Sequence, residues 1–342
     1  MRAMVLRNVC DLRRNMSPLS HEIVAEPEPA PDELLVDVSV CGVCHTEIDE
    51  IEGRTPPPHL PAILGHQVVG TVVARGAEAT RIEVGARVGV AWIHAACGKC
   101  RACLAGNENL CPDFVATGRD VTGGYAQQMV VPDRFAHPIP ASLSDAHAAP
   151  LLCAGAIGYR SLRLTGLGNG KRLGLTGFGA SAHLVLATAL RRFPFMEVYV
   201  FARNPDERAF AHELGAVWTG DIDTRPPVAL DAIIDTTPAW TPVLRALEAL
   251  APGGRLVINA IRKESADRDV LAGIDYASHL WLEKEIKSVA NVTRSDVREF
   301  LALAADTGIL PEVREIPLED ANTAILDIKR GGGRGARVLR VA

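Results

Sequence analysis

The sequence KRLGLTGFGASA, residues 171–182, decides the fold of the second half of this chain. It predicts a short strand at 171–176, then Gly177-x-Gly179-x-x-Ala182, then a helix over 183–192. The two glycines permit a tight turn and a close backbone approach to a pyrophosphate, and the small Ala182 permits close packing of helix on strand. The helix N-terminus supplies positive potential. The stretch therefore predicts a dinucleotide-binding loop.

The sequence after this loop alternates between strand-like and helix-like segments. We predict strands at 197–201, 230–235, 255–258, 286–292 and 336–341. We predict helices at 205–214, 242–250, 295–305 and 319–329, with Ser295 as the N-cap of the helix at 295–305. Such alternation is typical of an α/β fold with a parallel sheet.

The end of the strand at 197–201 bears on the choice of dinucleotide. An acidic residue there usually binds the ribose hydroxyls of NAD, whereas a nearby arginine accommodates the 2′-phosphate of NADP. This chain has Ala202 and Arg203. The pair favours NADP(H), with NAD(H) as the alternative if Arg203 is only a solvated loop residue.

The first half of the chain, to about Leu151, has short strand-like segments punctuated by glycine and proline, which predicts a β-rich, barrel-like domain. Within it, Cys97, Cys100, Cys103 and Cys111 are spaced C-x2-C-x2-C-x7-C. Four cysteines on one short loop are typical of a closed structural zinc site. Disulfides and an iron–sulfur cluster are the alternatives.

A second cysteine motif, Cys41-Gly-Val-Cys44-His45, has the C-x-x-C-H pattern of haem attachment, and C-x-x-C also occurs in redox proteins. The surrounding sequence supports neither function. One cysteine here, His66 and Cys153 would together supply the three ligands of a zinc site with an open fourth position. Spacing alone cannot join these distant segments, because a lone histidine or cysteine is more often structural.

The composition describes an ordinary globular chain of about two domains. It has 342 residues, 48% of them apolar and 23% charged, with a net charge of -5. The negative net charge does not favour nucleic-acid binding. No apolar run has the length of a signal peptide or a membrane span. We therefore expect a cytoplasmic protein without nucleic-acid or membrane partners, in which the eight cysteines serve metal binding or catalysis.

The chain resembles the zinc-dependent alcohol dehydrogenases of the medium-chain dehydrogenase/reductase superfamily. The resemblance covers essentially the whole length and rests on motifs in the family's order and spacing: the 41–46 segment, Gly65-His66, the four-cysteine loop, residues 152–155 and the glycine loop. It implies a GroES-like β-barrel catalytic domain at 1–151, a doubly wound Rossmann domain at 152–291, and a return segment at 292–342 that completes the catalytic domain.

The resemblance also implies the ligands of two zinc ions per chain. Cys44, His66 and Cys153 would hold a catalytic zinc, and the four-cysteine loop a structural one. Glu47 stands where relatives usually have an aspartate beside the ligands. Gln67 departs from the family, whose residue after the zinc-binding histidine is normally a glutamate that carries a negative charge.

Further roles follow from the same resemblance. Thr46 would bind the substrate oxygen, His45 would contact the cofactor phosphate, and Trp92 would line the substrate pocket. Asp49 would end the proton relay where many relatives have a histidine, and carboxylates are weaker bases near neutrality. Arg337 matches a late basic residue that meets the pyrophosphate.

The function implied is reversible, zinc-dependent hydride transfer between a primary alcohol or aldehyde and a nicotinamide cofactor. The alternatives are a polyol or other zinc-dependent reductase of the superfamily, and a non-catalytic sensor that binds zinc and NAD(P). Relatives are dimers or tetramers, so we expect a homodimer or homotetramer.

Overall fold

The computed structural model of this chain describes residues 1–331 and 334–341. It has two compact units, the first formed by Met1–Ala156 together with the chain from Val292 onward, and the second by Ile157–Asn291. None of the helices in the described ranges combines the length and apolar character needed to cross a membrane.

The first unit is mainly β-structure. Its strands are β1 Arg2–Leu6, β2 Leu19–Ile23, β3 Glu33–Val43, β4 Ala62–Ile63, β5 Val68–Arg75, β6 Arg87–Val90, β7 Ile93–Ala95, β8 Val115–Ala116, β9 Gln128–Pro132 and β10 Ala136–Pro138. Its early helices are α1 His45–Ile51, α2 Arg101–Leu104 and α3 Asp145–Pro150.

The second unit alternates strand and helix. Its elements are α4 Ala156–Thr165, β11 Arg172–Thr176, α5 Ala180–Arg192, β12 Glu197–Phe201, α6 Pro205–Glu213, β13 Trp218–Gly220, β14 Leu230–Asp235, α7 Thr241–Ala249, β15 Leu250–Ile258 and β16 Glu285–Ser288. The chain then completes the first unit with α8 Arg294–Thr307, β17 Val313–Pro317, α9 Ala321–Lys329 and β18 Ala336–Arg340.

The main sheet of the first unit has the strand order β10-β6-β5-β3-β18-β17, with β9 also paired to β3. Its pairs are antiparallel except β17 with β18. Valines alternate with other residues along the central strands, and Val36, Val72 and Val88 are fully buried. This period of two places one face of the sheet in the core.

The second unit is built on a parallel sheet with the order β13-β12-β11-β14-β15-β16. Helix α5 buries Ala182, Val185, Leu186 and Ala189 against this sheet. These residues recur at the three- and four-residue spacing that places them on one side of a helix.

Several element boundaries differ from those that we predicted; the helix of 183–192 begins at Ala180, and the helix of 319–329 begins at Ala321. The helix of 295–305 runs from Arg294 to Thr307, and its N-cap is Thr293 rather than Ser295, because Thr293 and Asp296 form a reciprocal capping box. The strand at 286–292 ends at Ser288, and the strand at 255–258 begins at Leu250.

Candidate functional site

Three distant segments of the first unit bring Cys44, His66 and Cys153 together. His66 Nε2 lies 3.5 Å from Cys44 Sγ and 3.4 Å from Cys153 Sγ, and all three ligand atoms lie within 4.8 Å of one another. Two sulfurs and one imidazole nitrogen at this spacing are the donor set of a catalytic zinc site. The residues therefore fit the metal that the resemblance implies.

Local structure explains how two of these ligands are presented. Cys44 is the N-cap of α1, where its sulfur accepts a hydrogen bond from the Thr46 backbone N–H at 3.3 Å. Cys153 lies in a π-helical turn, Leu151–Gly155, directly after Pro150. Single π turns often occur at functional sites because they turn a side chain out of the regular helical repeat.

Glu47 supports both of the ligands that lie near α1. Its Oε1 lies 2.6 Å from His66 Nδ1 in a fully buried contact, and its Oε2 accepts a hydrogen bond from the Cys44 backbone N–H at 2.8 Å. A carboxylate behind a ligating imidazole fixes the ring so that the other nitrogen faces the metal. The sequence places Glu47 beside the ligands but does not predict this contact.

Charges around the cluster oppose the effect of burial on His66. Burial alone would lower the pKa of His66, but the neighbouring Glu47 carboxylate and Cys44 sulfur raise this pKa well above its usual value. The pKa of the Cys44 thiol is also raised, by its hydrogen bond with Cys153 and by burial. Thiolate and neutral imidazole are the forms that bind metal, so metal binding is coupled to proton release at such a site.

Gln67 and Glu50, beside the cluster, carry buried polar atoms without a hydrogen-bond partner among the described residues. Gln67 is buried, and its Nε2 has no hydrogen-bond partner there. Neither carboxylate oxygen of Glu50 has one either, and burial, followed by the charge of Glu47, raises the pKa of Glu50 well above its usual value. Glu50 was not singled out from the sequence, since nothing in its local pattern distinguishes it from a solvated helix residue.

The other predicted catalytic residues lie in the first turns of α1. His45 is exposed and Thr46 is half-buried. Asp49 is buried, and its Oδ1 accepts a hydrogen bond from Arg54 Nε at 2.5 Å. The carboxylate is thus already engaged by a cation. Its place at the end of a proton relay stays a prediction.

Trp92 is half-buried, and its ring packs near Phe114 and Arg119, which the sequence did not predict. Its ring centroid lies 5.1 Å from that of Phe114, and the Arg119 guanidinium lies 5.4 Å from the Trp92 ring centroid. Arg119 also forms an ion pair with Asp120 at 2.8 Å. These contacts fix the orientation of the indole.

The four-cysteine loop also forms a compact cluster. The Sγ atoms of Cys97, Cys100, Cys103 and Cys111 lie within 4.8 Å of one another, and all eight cysteines of the chain are free thiols. Backbone N–H groups of Lys99 and Cys100 lower the pKa of Cys97 to about 7. N–H groups directed at sulfur favour thiolate, which is the form that binds metal. The cluster therefore has the donor set of a closed zinc site.

The predicted nucleotide loop lies at the carboxyl ends of the parallel strands in the second unit. Gly177 has φ +78°, and a Cβ there would lie 2.8 Å from Thr236 Oγ1. Gly179 is the N-cap of α5, and Ala182 is fully buried. The loop thus has the close packing and the free helix N-terminus that a pyrophosphate needs.

Two arginines follow the next strand. Arg203 is exposed. Arg208 is held by hydrogen bonds from Nη1 to the carbonyls of Ala202 and Arg203 at 2.7 and 2.9 Å. The sequence gives no signal for Arg208, because the position of this side chain depends on how α6 begins.

Arg337 is buried in the first unit, on β18. Its Nε and Nη2 lie 2.7 and 2.6 Å from Asp327 Oδ2, and its Nη1 donates to the Gly335 carbonyl at 2.5 Å. These internal partners occupy the guanidinium. Its contact with a pyrophosphate stays a prediction.

Two thiol-rich clusters and a dinucleotide loop in one chain define an oxidoreductase that uses zinc and a nicotinamide cofactor. Residues 30–141 match the alcohol dehydrogenase GroES-like domain family. The chain is 44% identical over 329 residues to the probable alcohol dehydrogenase AdhA of Mycobacterium tuberculosis (strain CDC 1551 / Oshkosh), covering 95% of this chain and 93% of that protein. It is 31% identical to an alcohol dehydrogenase of Geobacillus stearothermophilus, covering 93% and 94%.

Solved structures agree with these relatives. The cinnamyl alcohol dehydrogenase SbCAD4 of Sorghum bicolor has a TM-score of 0.86 at 26% identity, covering 99% of this chain and 97% of that one. The chain belongs to the zinc-dependent alcohol dehydrogenases of the medium-chain dehydrogenase/reductase superfamily. This confirms the family and the two-part α/β fold predicted from the motifs. It favours an alcohol dehydrogenase over the sensor and the polyol reductase.

Proposed function

We propose that this enzyme catalyses the reversible oxidation of primary alcohols to aldehydes, with Cys44, His66 and Cys153 as the ligands of its catalytic zinc. The observation that carries the proposal is the meeting of two sulfurs and one imidazole nitrogen within 4.8 Å, with Glu47 directly behind the imidazole. In this proposal the first unit is the catalytic domain and the second unit binds the dinucleotide.

The ligand set determines the charge at the metal. Two thiolates and a neutral imidazole would make a zinc centre formally neutral. Zinc bound there supplies a Lewis acid that polarises the oxygen of an alcohol or a carbonyl. Glu47 keeps the imidazole oriented through Nδ1, which leaves Nε2 for the metal.

Thr46 is the residue that we propose to hold the substrate proton. Its hydroxyl belongs to the first turn of α1, two residues after Cys44, and the side chain is half-buried. A hydroxyl can accept the proton of an alcohol while it donates its own to a neighbouring acceptor. We further propose that His45 contacts the cofactor phosphate and that Trp92 lines the alcohol pocket.

NADP(H) is the cofactor that we favour. Ala202 offers no carboxylate for a ribose hydroxyl, and Arg203 is exposed beside Arg208 after β12. Two guanidinium groups suit a 2′-phosphate because arginine binds phosphate through paired N–H donors. A second zinc in the four-cysteine loop and a cytoplasmic location complete the proposal.

A homodimer formed through the edge of the parallel sheet is the assembly that we favour. All four residues of the edge strand β16 are exposed. Ile286 of this strand is 49% exposed, and Tyr276 and Trp281 in the segment before it are 62% and 54% exposed. An unprotected edge with apolar neighbours is prone to pair with another strand. Light scattering should therefore detect a dimer that Ile286→Asp weakens.

The activity is tested by supplying zinc-loaded protein with NADPH or NADH and a panel of aldehydes and ketones, while nicotinamide absorbance is followed. We expect turnover of aldehydes, faster with NADPH. Cys153→Ala should abolish turnover because it removes one catalytic ligand. Cys10 is half-buried and lies outside both clusters, so Cys10→Ala serves as the matched control. Absence of turnover in wild type with two zincs per chain would contradict the proposal.

A further inference from the structure

A buried ion pair lies beneath the predicted nucleotide loop. Asp235 is the last residue of β14 and is fully buried, and the Lys263 side chain is 8% exposed. Lys263 Nζ donates to Asp235 Oδ2 and to the carbonyls of Thr237 and Ala239, the latter two at 2.8 and 2.9 Å. All three ammonium protons therefore have acceptors.

The other carboxylate oxygen of Asp235 connects this pair to the loop. Asp235 Oδ1 accepts hydrogen bonds from Thr176 Oγ1 at 2.6 Å and from Thr237 Oγ1 at 2.8 Å. Thr176 directly precedes Gly177. Thr236 lies against Gly177 on the other side, since a Cβ on Gly177 would meet Thr236 Oγ1 at 2.8 Å.

The place of the pair in the sheet gives it a functional meaning. Asp235 is in register with Thr176 of β11 and with Ile258 of β15. The order of strands reverses between β11 and β14, and ligands of open parallel sheets bind outside the carboxyl ends of the strands at such a point. A lone carboxylate here would repel the negatively charged pyrophosphate of a dinucleotide.

We propose that Lys263 is a positioning residue of the dinucleotide site, which cancels the charge of Asp235 beneath the pyrophosphate and holds the Thr236–Ala239 segment against the glycine loop. The inference rests on the proposed binding of a nicotinamide dinucleotide by this unit. It predicts opposite consequences for removal of the two charges, because only the carboxylate repels the ligand.

The test is the affinity of zinc-loaded protein for NADPH and NADH, measured by calorimetry beside thermal unfolding without nucleotide. Lys263→Met should weaken binding at least about tenfold, since it leaves an unpaired buried carboxylate. Asp235→Asn should bind at least as tightly as wild type, because the amide oxygen still accepts from Thr176 and Thr237 while Lys263 keeps its two carbonyl partners.

Lys171→Met is the matched control. Lys171 also forms an ion pair with an aspartate of β14, Asp231, at 3.4 Å, but the pair is exposed and lies at the amino ends of the strands. We expect this variant to bind nucleotide as wild type does. An equal loss in Lys171→Met and Lys263→Met would overturn the inference.

Two further outcomes would also overturn it. The first is that Lys263→Met keeps its affinity for the dinucleotide and only melts at a lower temperature. The second is that Asp235→Asn loses as much affinity as Lys263→Met, which is expected if the ion pair has only a structural role. If Lys263→Met alone does not fold, the double variant of Asp235→Asn with Lys263→Met is compared with Asp235→Asn. Neither protein keeps a carboxylate that could repel the ligand, so the two should bind the dinucleotide equally tightly, and a loss of about tenfold in the double variant would overturn the inference. Wild type that binds neither dinucleotide would refute the proposed function as well.

Discussion

Replacing Glu47 with glutamine should lower zinc affinity at the Cys44–His66–Cys153 cluster. The Glu47 carboxylate lies 2.6 Å from His66 Nδ1 and accepts the Cys44 N–H at 2.8 Å, fully buried. A glutamine has one acceptor oxygen and one donor group, so it can serve only one of these two nitrogens. The other is left unpaired, at a cost of about 1–3 kcal/mol.

This energy converts into a measurable affinity. Loss of a carboxylate behind a ligating histidine typically weakens metal binding by about 10–100-fold, which corresponds to about 1.4–2.8 kcal/mol. The two independent magnitudes agree, so we expect a loss of about 10–100-fold for Glu47→Gln.

The assay is zinc competition against a chromophoric chelator, with metal content measured per chain. The four-cysteine cluster is an internal control, since Glu47 contributes nothing to it, and one zinc per chain should stay tightly bound. Glu52→Gln is the matched variant. Glu52 follows the same helix and pairs with Arg54 and Lys329, away from the ligands. Wild-type zinc affinity in Glu47→Gln, or an equal loss in Glu52→Gln, would refute the reasoning.

Three other perturbations have defined outcomes. Burial, followed by the charges of nearby arginines, lowers the pKa of His137 from 6.5 to about 3. As pH falls, the unfolded chain takes up a proton on this histidine before the folded protein does, so the free energy of unfolding decreases between about pH 6.5 and pH 3. Wild type should lose about 2.5 kcal/mol through this group between pH 7 and pH 4.5, and urea titrations of His137→Gln should show a flatter profile; parallel profiles would contradict this. Gly177→Ala places a Cβ 2.8 Å from a threonine hydroxyl, at a residue with φ +78°, so dinucleotide binding should weaken by about 1–3 kcal/mol. A Cβ on Gly168 would meet open space, so Gly168→Ala should bind the dinucleotide as wild type does in the same calorimetric titration. Cys103→Ser should remove one zinc per chain and lower the melting temperature, because metal binding to such loops contributes to folding; metal analysis that still finds two zincs would count against the four-cysteine site.

Local patterns were sufficient wherever a function depends on neighbouring residues. The glycine loop, with its strand before and helix after, needs only a few consecutive residues, and the structure forms β11 and α5 on either side of it. The four-cysteine loop is equally local, since its thiols lie within one turn-rich segment. The alternation of strands and helices predicted the α/β fold, because apolar residues recur at a different spacing in a strand than in a helix.

The sequence alone could not predict contacts between distant residues. His66 lies 22 residues from Cys44 and 87 from Cys153, and nothing in the spacing required them to meet; the resemblance supplied that link. The ion pairs of Asp49 with Arg54 and of Arg337 with Asp327 join residues only five and ten positions apart, but no sequence motif marks either pairing.

The amino-acid sequence by itself determined the kind of chemistry available to this chain: thiols and imidazole for zinc, and a glycine loop for a dinucleotide. Only the tertiary structure decided which groups face each other, such as Glu47 behind His66 and Lys263 on Asp235. The physical reason is that residue types set donor chemistry locally, whereas distances, burial and charge pairing are set by the packing of segments far apart in the chain.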